Sequence, residues 1–105
     1  MEIVENTTLG KKYEENINVT NSSQLTLNGM VVGNVNISDN STGFIHGMII
    51  GDITILPGAR ADIHGTVNGT VYNQGGDVAV YGTVGRITTI SGNTSIDTKA
   101  IIKNG

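Results

Sequence analysis

Leu27-Asn28-Gly29-Met30-Val31-Val32-Gly33-Asn34-Val35 is repeated 18 residues later as Ile45-His46-Gly47-Met48-Ile49-Ile50-Gly51-Asp52-Ile53. A third copy, Ile63-His64-Gly65-Thr66-Val67-Asn68-Gly69-Thr70-Val71, follows after another 18. A fixed period of this length marks a solenoid, in which each unit buries its apolar face only by stacking on its neighbours. Within a copy the apolar residues alternate, as in Leu25, Leu27, Val31, Val35 and Ile37, and a period of two is that of a strand with alternate side chains turned inward. Glycines fill positions 29 and 33, where a side chain has no room or the chain must turn. Turn clusters punctuate the repeats: Asp39-Asn40-Ser41-Thr42-Gly43, Pro57-Gly58, Gly75-Gly76 and Ser91-Gly92-Asn93. No window holds the spacing of an amphipathic helix. The expected fold is therefore all-β: a three-sided parallel β-helix of five to six rungs, stacked about 4.8 Å apart.

Working outward, the same register backwards from Leu27, Val31, Val35 and Ile37 lands on Leu9, Tyr13, Ile17 and Val19. A weaker first rung is thus expected from about Thr7 to Gln24. It carries Lys11, Lys12, Glu14 and Glu15 where later rungs are apolar or glycine, as suits a terminal repeat facing water. Residues 1–24 read as a capping arm plus this rung, with Met1 to Asn6 folded over it. Forwards, Val67 returns as Val84 at an offset of 17, which implies one residue lost in the turn Asn73-Gln74-Gly75-Gly76-Asp77. Beyond Val84 either Ile87 or Ile90 can take the next inward slot. The register of 18 then places Ile96 over Val78, Ala100 over Gly82 and Ile102 over Val84. Residues 25–94 form the regular rungs and 95–105 a C-terminal capping rung, all within one domain of 105 residues.

Composition narrows the function classes. The chain has 15 glycines, one proline, 4% aromatics and no cysteine, so cysteine-ligated metals and disulfides are excluded. A net charge of −3 gives no nucleic-acid footprint. Met1-Glu2-Ile3-Val4-Glu5 lacks a basic run and a long apolar stretch, so neither a signal peptide nor a membrane span is expected, and the expected address is cytoplasmic. Triplets such as Asn36-Ile37-Ser38 and Asn40-Ser41-Thr42 then read as turn and ladder residues rather than glycan acceptors.

With these residues in view, Gly47-Met48-Ile49-Ile50-Gly51-Asp52-Ile53, Gly65-Thr66-Val67-Asn68-Gly69-Thr70-Val71 and Val80-Tyr81-Gly82-Thr83-Val84 resemble the polymer-forming β-helix domains of the bactofilin type. The resemblance covers roughly residues 25–90. It implies a right-handed, three-sided parallel β-helix and nucleotide-independent, end-to-end assembly into filaments.

Two surface constellations stand out. His46 and His64 follow inward isoleucines one repeat apart, with Asn28 before and Tyr81 after them in the column. A ladder of this kind could hold a metal or pass protons, but two imidazoles are too few for a closed zinc site, and it reads as a polar cross-strand ladder. Met30, Val32, Met48 and Ile50 should point outward together, with Phe44 as a possible neighbour, and four adjacent apolar side chains suggest a protein contact surface. A corner that tucks them inward, or an N-terminal arm that covers them, is the alternative. No Gly-x-Ser-x-Gly elbow or phosphate-cradling loop occurs, so no catalytic site, cofactor or metal is expected. The hexapeptide acyltransferases share a related rung length but need a regular hexad that this chain lacks. The expected role is a non-enzymatic structural or protein-binding solenoid, with a protein partner, further copies of itself or both. A small antagonist, such as an immunity protein for a toxin, is the alternative.

Overall fold

A computed structural model describes residues 1–38 and 40–104; Asp39 of the first turn cluster and Gly105 of the last segment lie outside the described residues. The chain winds into six coils. The first carries β1 (Glu2–Ile3), β2 (Thr7–Leu9) and β3 (Lys12–Tyr13), and the second β4 (Ile17–Val19), β5 (Gln24–Leu27) and β6 (Met30–Val32). The third carries β7 (Val35–Ile37), β8 (Thr42–Ile45) and β9 (Met48–Ile50), and the fourth β10 (Ile53–Ile55), β11 (Arg60–Ile63) and the start of β12 (Thr66–Val80). The rest of β12 with the start of β13 (Thr83–Ile96) makes the fifth coil, and the rest of β13 with β14 (Ile101–Ile102) makes the sixth. Every strand pair is parallel, in three columns: β1-β4-β7-β10 on one side, β2-β5-β8-β11 on the next, β3-β6-β9 on the third, with β12 and β13 continuing all three. Six coils at about 4.8 Å give about 29 Å, close to the 31 Å long dimension of the molecule.

The repeat produces this stack because each inward position meets the same position one coil away. Val31, Ile49 and Val67 pair in register, as do Val35, Ile53 and Val71. The resulting core, from Ile3 to Val84, is almost entirely aliphatic, and its central members are fully buried. At the corner between the second and third sides, the carbonyl of Gly29 accepts the N–H of Met48 at 3.0 Å, and that of Gly47 the N–H of Thr66 at 3.0 Å. A Cβ on Gly47 would collide with the Gly29 oxygen, and one on Gly65 with the Gly47 oxygen. Through the regular coils this corner is stacked from glycines alone, from Gly29 to Gly82. At the next corner Gly33 (φ 155°) and Gly51 (φ 151°) adopt a backbone that other residues rarely reach. Each is followed by a side chain that continues the ladder: Asn16 Oδ1 accepts the N–H of Asn34 at 2.8 Å, Asn34 Oδ1 that of Asp52 at 3.0 Å, and Asp52 Oδ1 that of Thr70 at 2.8 Å.

The two ends depart from the sequence reading. Met1 to Asn6 does not fold over a first rung; β1 joins the stack, with Ile3 paired to Val19, and makes an additional coil. The expected loss in the turn 73–77 is present, since Asn73 still sits over Ile55 whereas Asp77 sits over Arg60. A second residue is lost between the pairs Val67–Val84 and Thr70–Arg86. Ile87 takes the inward slot over Val71, and Ile90 is left 66% exposed. Ile96 pairs with Val80, not Val78, and the register of 18 returns only at Val84–Ile102. The shortened turn 73–77 is held by Asn73, which occupies a core column and is fully buried. Its Oδ1 accepts from Gly75 (3.1 Å) and Gly76 (2.9 Å), and its Nδ2 donates to the Asn93 carbonyl (2.9 Å) and Thr94 Oγ1 (3.0 Å). All four hydrogen-bonding positions of the amide are used, and they hold together the shortened turns of two coils.

Ile49→Ala should destabilise the protein by about 2–5 kcal/mol in chemical denaturation, because a buried isoleucine is lost and its cavity has no side chain to fill it. Gly65→Val should lower the melting temperature at least as severely, since the corner must open; an unchanged melting temperature would contradict the packed glycine column.

Candidate functional site

At the glycine corner two rows of side chains rise on either side of a floor without side chains. On one side, Asn28, His46, His64 and Tyr81 occupy one position of successive coils. The imidazoles of His46 and His64 stack with centroids 5.1 Å apart and planes at 13°, and the Tyr81 ring stacks on His64 at 4.6 Å and 4°. The rings therefore cover one another's faces and turn their edges to solvent. On the other side stand Lys12, Met30, Met48 and Thr66, paired in register. An open groove runs between the rows, lined by Gly29, Gly47 and Gly65 on its floor and by Met30, Met48, His46 and the Lys11–Lys12 pair along its rims.

The anticipated apolar patch is divided. Met30, Val32 and Met48 are half-buried, and Ile50 is 37% exposed. These four lie together on β6 and β9, so the outward reading of the third side holds for them. Phe44, half-buried on β8 between Thr26 and Asp62, belongs to the second side and is not part of that surface.

A second surface, not singled out in the sequence, is the C-terminal end of the stack. Ile87, Ile96 and Ile102 stand over Val71, Val80 and Val84, all three fully buried. In the last coil Ile96 is 52% exposed, and Ile87 and Ile102 are only half-buried. With Thr89 and Thr94, whose hydroxyls share a 2.8 Å hydrogen bond, they line an open depression. Ile101 is exposed beside it. Of residues 95–105, expected as a cap, the described ones leave this section of the core open. The N-terminal end differs. Ile3 and Leu9 are buried there and Tyr13 packs against the core. Around them, the Met1 amine contacts Glu15 at 3.0 Å and Lys12 contacts Glu14 at 3.6 Å.

Two further features bear on chemistry. Among the described residues no group of three or more His, Cys, Asp or Glu is placed to hold a metal ion. Among the same residues no helix is long and apolar enough to cross a membrane.

Because Met48 and Ile50 already face solvent in part, the double variant Met48→Lys with Ile50→Lys should fold, losing no more than about 1 kcal/mol in thermal or denaturant unfolding. Loss of the fold would mean that the third side is turned inward. No protein-family model, curated protein or solved structure matches the chain, and the reading of its role rests on the geometry of these two surfaces.

Proposed function

We propose that this chain is a non-catalytic structural β-solenoid that associates with a second copy of itself through its C-terminal end. The observation that carries the reading is the difference between the two ends. The last coil presents Ile87, Ile96 and Ile102 as an unfinished section of the core, whereas the first coil buries Ile3 and Leu9 in its core columns, sets charged residues around them and exposes Met1 and Val4. Leaving that section in water forgoes about 25 cal/mol per Å² of apolar burial, and the unpaired strand edge beside it is a template for further pairing. A copy related by a two-fold axis would set apolar against apolar, the self-complementary arrangement of an isologous contact. A head-to-tail contact would set the isoleucines against Lys12, Glu14 and Glu15, whose charges would lose water without new partners. Self-assembly is also what the resemblance to bactofilin-type domains implies, although this pairing of ends makes dimers rather than filaments.

The contact is small. A section bounded by 26 × 18 Å falls short of the roughly 800 Å² per partner of a standard stable interface, so association should depend on concentration. Sedimentation velocity over a concentration series is the test. The wild-type chain should shift from monomer to dimer, and Ile96→Lys should need about tenfold more protein or worse to reach the same dimer fraction, since a charge must be desolvated in the contact. Ile96 is exposed, so its melting curve should not move. A wild-type chain that stays monomeric throughout, or an Ile96→Lys variant that dimerises equally well, would refute the end-on contact.

A further inference from the structure

We propose that the groove at the glycine corner binds one soft monovalent cation, Cu⁺, through the thioethers of Met30 and Met48 and the imidazole of His46. This inference is independent of end-on association. The three side chains line one groove. Met30 and Met48 are brought together because β6 and β9 pair in register. His46 and Met48 flank Gly47 in a single coil, and all three line the groove.

The donor set selects the ion. Thioether sulfur is a soft, neutral ligand that favours Cu⁺ over harder divalent ions. Both methionines are half-buried rather than locked in the core, and the unbranched side chain lets sulfur adjust its position. His46 is exposed, and its stacking on His64 covers a ring face while leaving the ring edge free. Imidazole nitrogens bind metals in the ring plane, through that edge, so the stack orients the ligand without blocking it; His64 is a positioning residue. Lys11 and Lys12 line the same groove. Their ammonium groups oppose any cation but oppose a doubly charged one twice as strongly, and Lys12 is partly neutralised by Glu14 at 3.6 Å. No cysteine is present to compete for a soft ion.

The test uses the full chain and Ag⁺ as a redox-inert probe of the Cu⁺ site, in chloride-free buffer. Calorimetric titration should show saturable uptake of one Ag⁺ per chain, and Zn²⁺ should bind at least about tenfold more weakly. Met30→Leu, Met48→Leu and His46→Gln should each weaken Ag⁺ binding by about tenfold or more. The leucine variants keep the volume of the side chain, so their melting temperatures should match wild type. In the unaltered protein the methyl carbon resonances of Met30 and Met48 should shift on adding Ag⁺ while that of Met1 stays in place. Absence of saturable uptake, leucine variants that bind as well as wild type, a shift confined to Met1, or Zn²⁺ binding as tight as Ag⁺ would each overturn the site.

Discussion

The structure depends on backbone carbonyls at a corner where no side chain can stand. Each of Gly29, Gly47 and Gly65 offers its oxygen to an N–H of the next coil, and that oxygen occupies the place a Cβ would need on the glycine above. From the second coil to the fifth the coils approach to hydrogen-bonding distance over a column of glycines, and Ala100 takes the position in the sixth. A rung can lose a residue elsewhere and still meet this requirement, as Gly82 stands over Gly65 at an offset of 17. The aliphatic columns then stabilise what the corner permits: Val31 over Ile49 over Val67, and their equivalents on the other sides, are removed from water by neighbours one coil away.

A stack of this kind has two ends, and its chemistry is concentrated at the places where the repeat changes. At the first coil charged residues replace the apolar pattern and the core is enclosed. At the last, Ile87, Ile96 and Ile102 occupy core columns with no further coil over them among the described residues. Along the side, the glycine corner leaves a floor between a row of rings and a row containing both internal methionines. The end surface and the lateral groove thus arise from the same rule, the first by stopping the repeat and the second by omitting a side chain within it.

Between residues 25 and 71 the architecture was legible because each residue's neighbours are its own copies, so that spacing alone identifies the inward columns and the stacking of His46 on His64. The reading faltered where that condition fails. Asn73 takes a core position as a fully satisfied amide. A buried amide leaves no apolar signal, and the residue lost between Val84 and Arg86 leaves none either, so the register of Ile96 was misplaced. The side-chain ladder Asn16–Asn34–Asp52 was visible as Gly-Asn and Gly-Asp at one spacing, but its role depends on a corner geometry that alternation does not encode. Phe44 was expected as a possible neighbour of the Met48 surface; a corner separates them. Nothing in the residues alone distinguished a capping last rung from an open one.

Amide hydrogen exchange, followed residue by residue at several protein concentrations, tests most directly the claim that this is a stack closed at its first coil and open at its last. At low concentration the amides of Thr88 to Ile96 should exchange fastest among the strands and those of the third and fourth coils slowest, since protection follows the number of neighbouring coils. As concentration rises, protection should grow in the sixth coil and stay constant in the first. Uniform protection along the chain, or a sixth coil whose exchange ignores concentration while the first coil responds, would contradict the account.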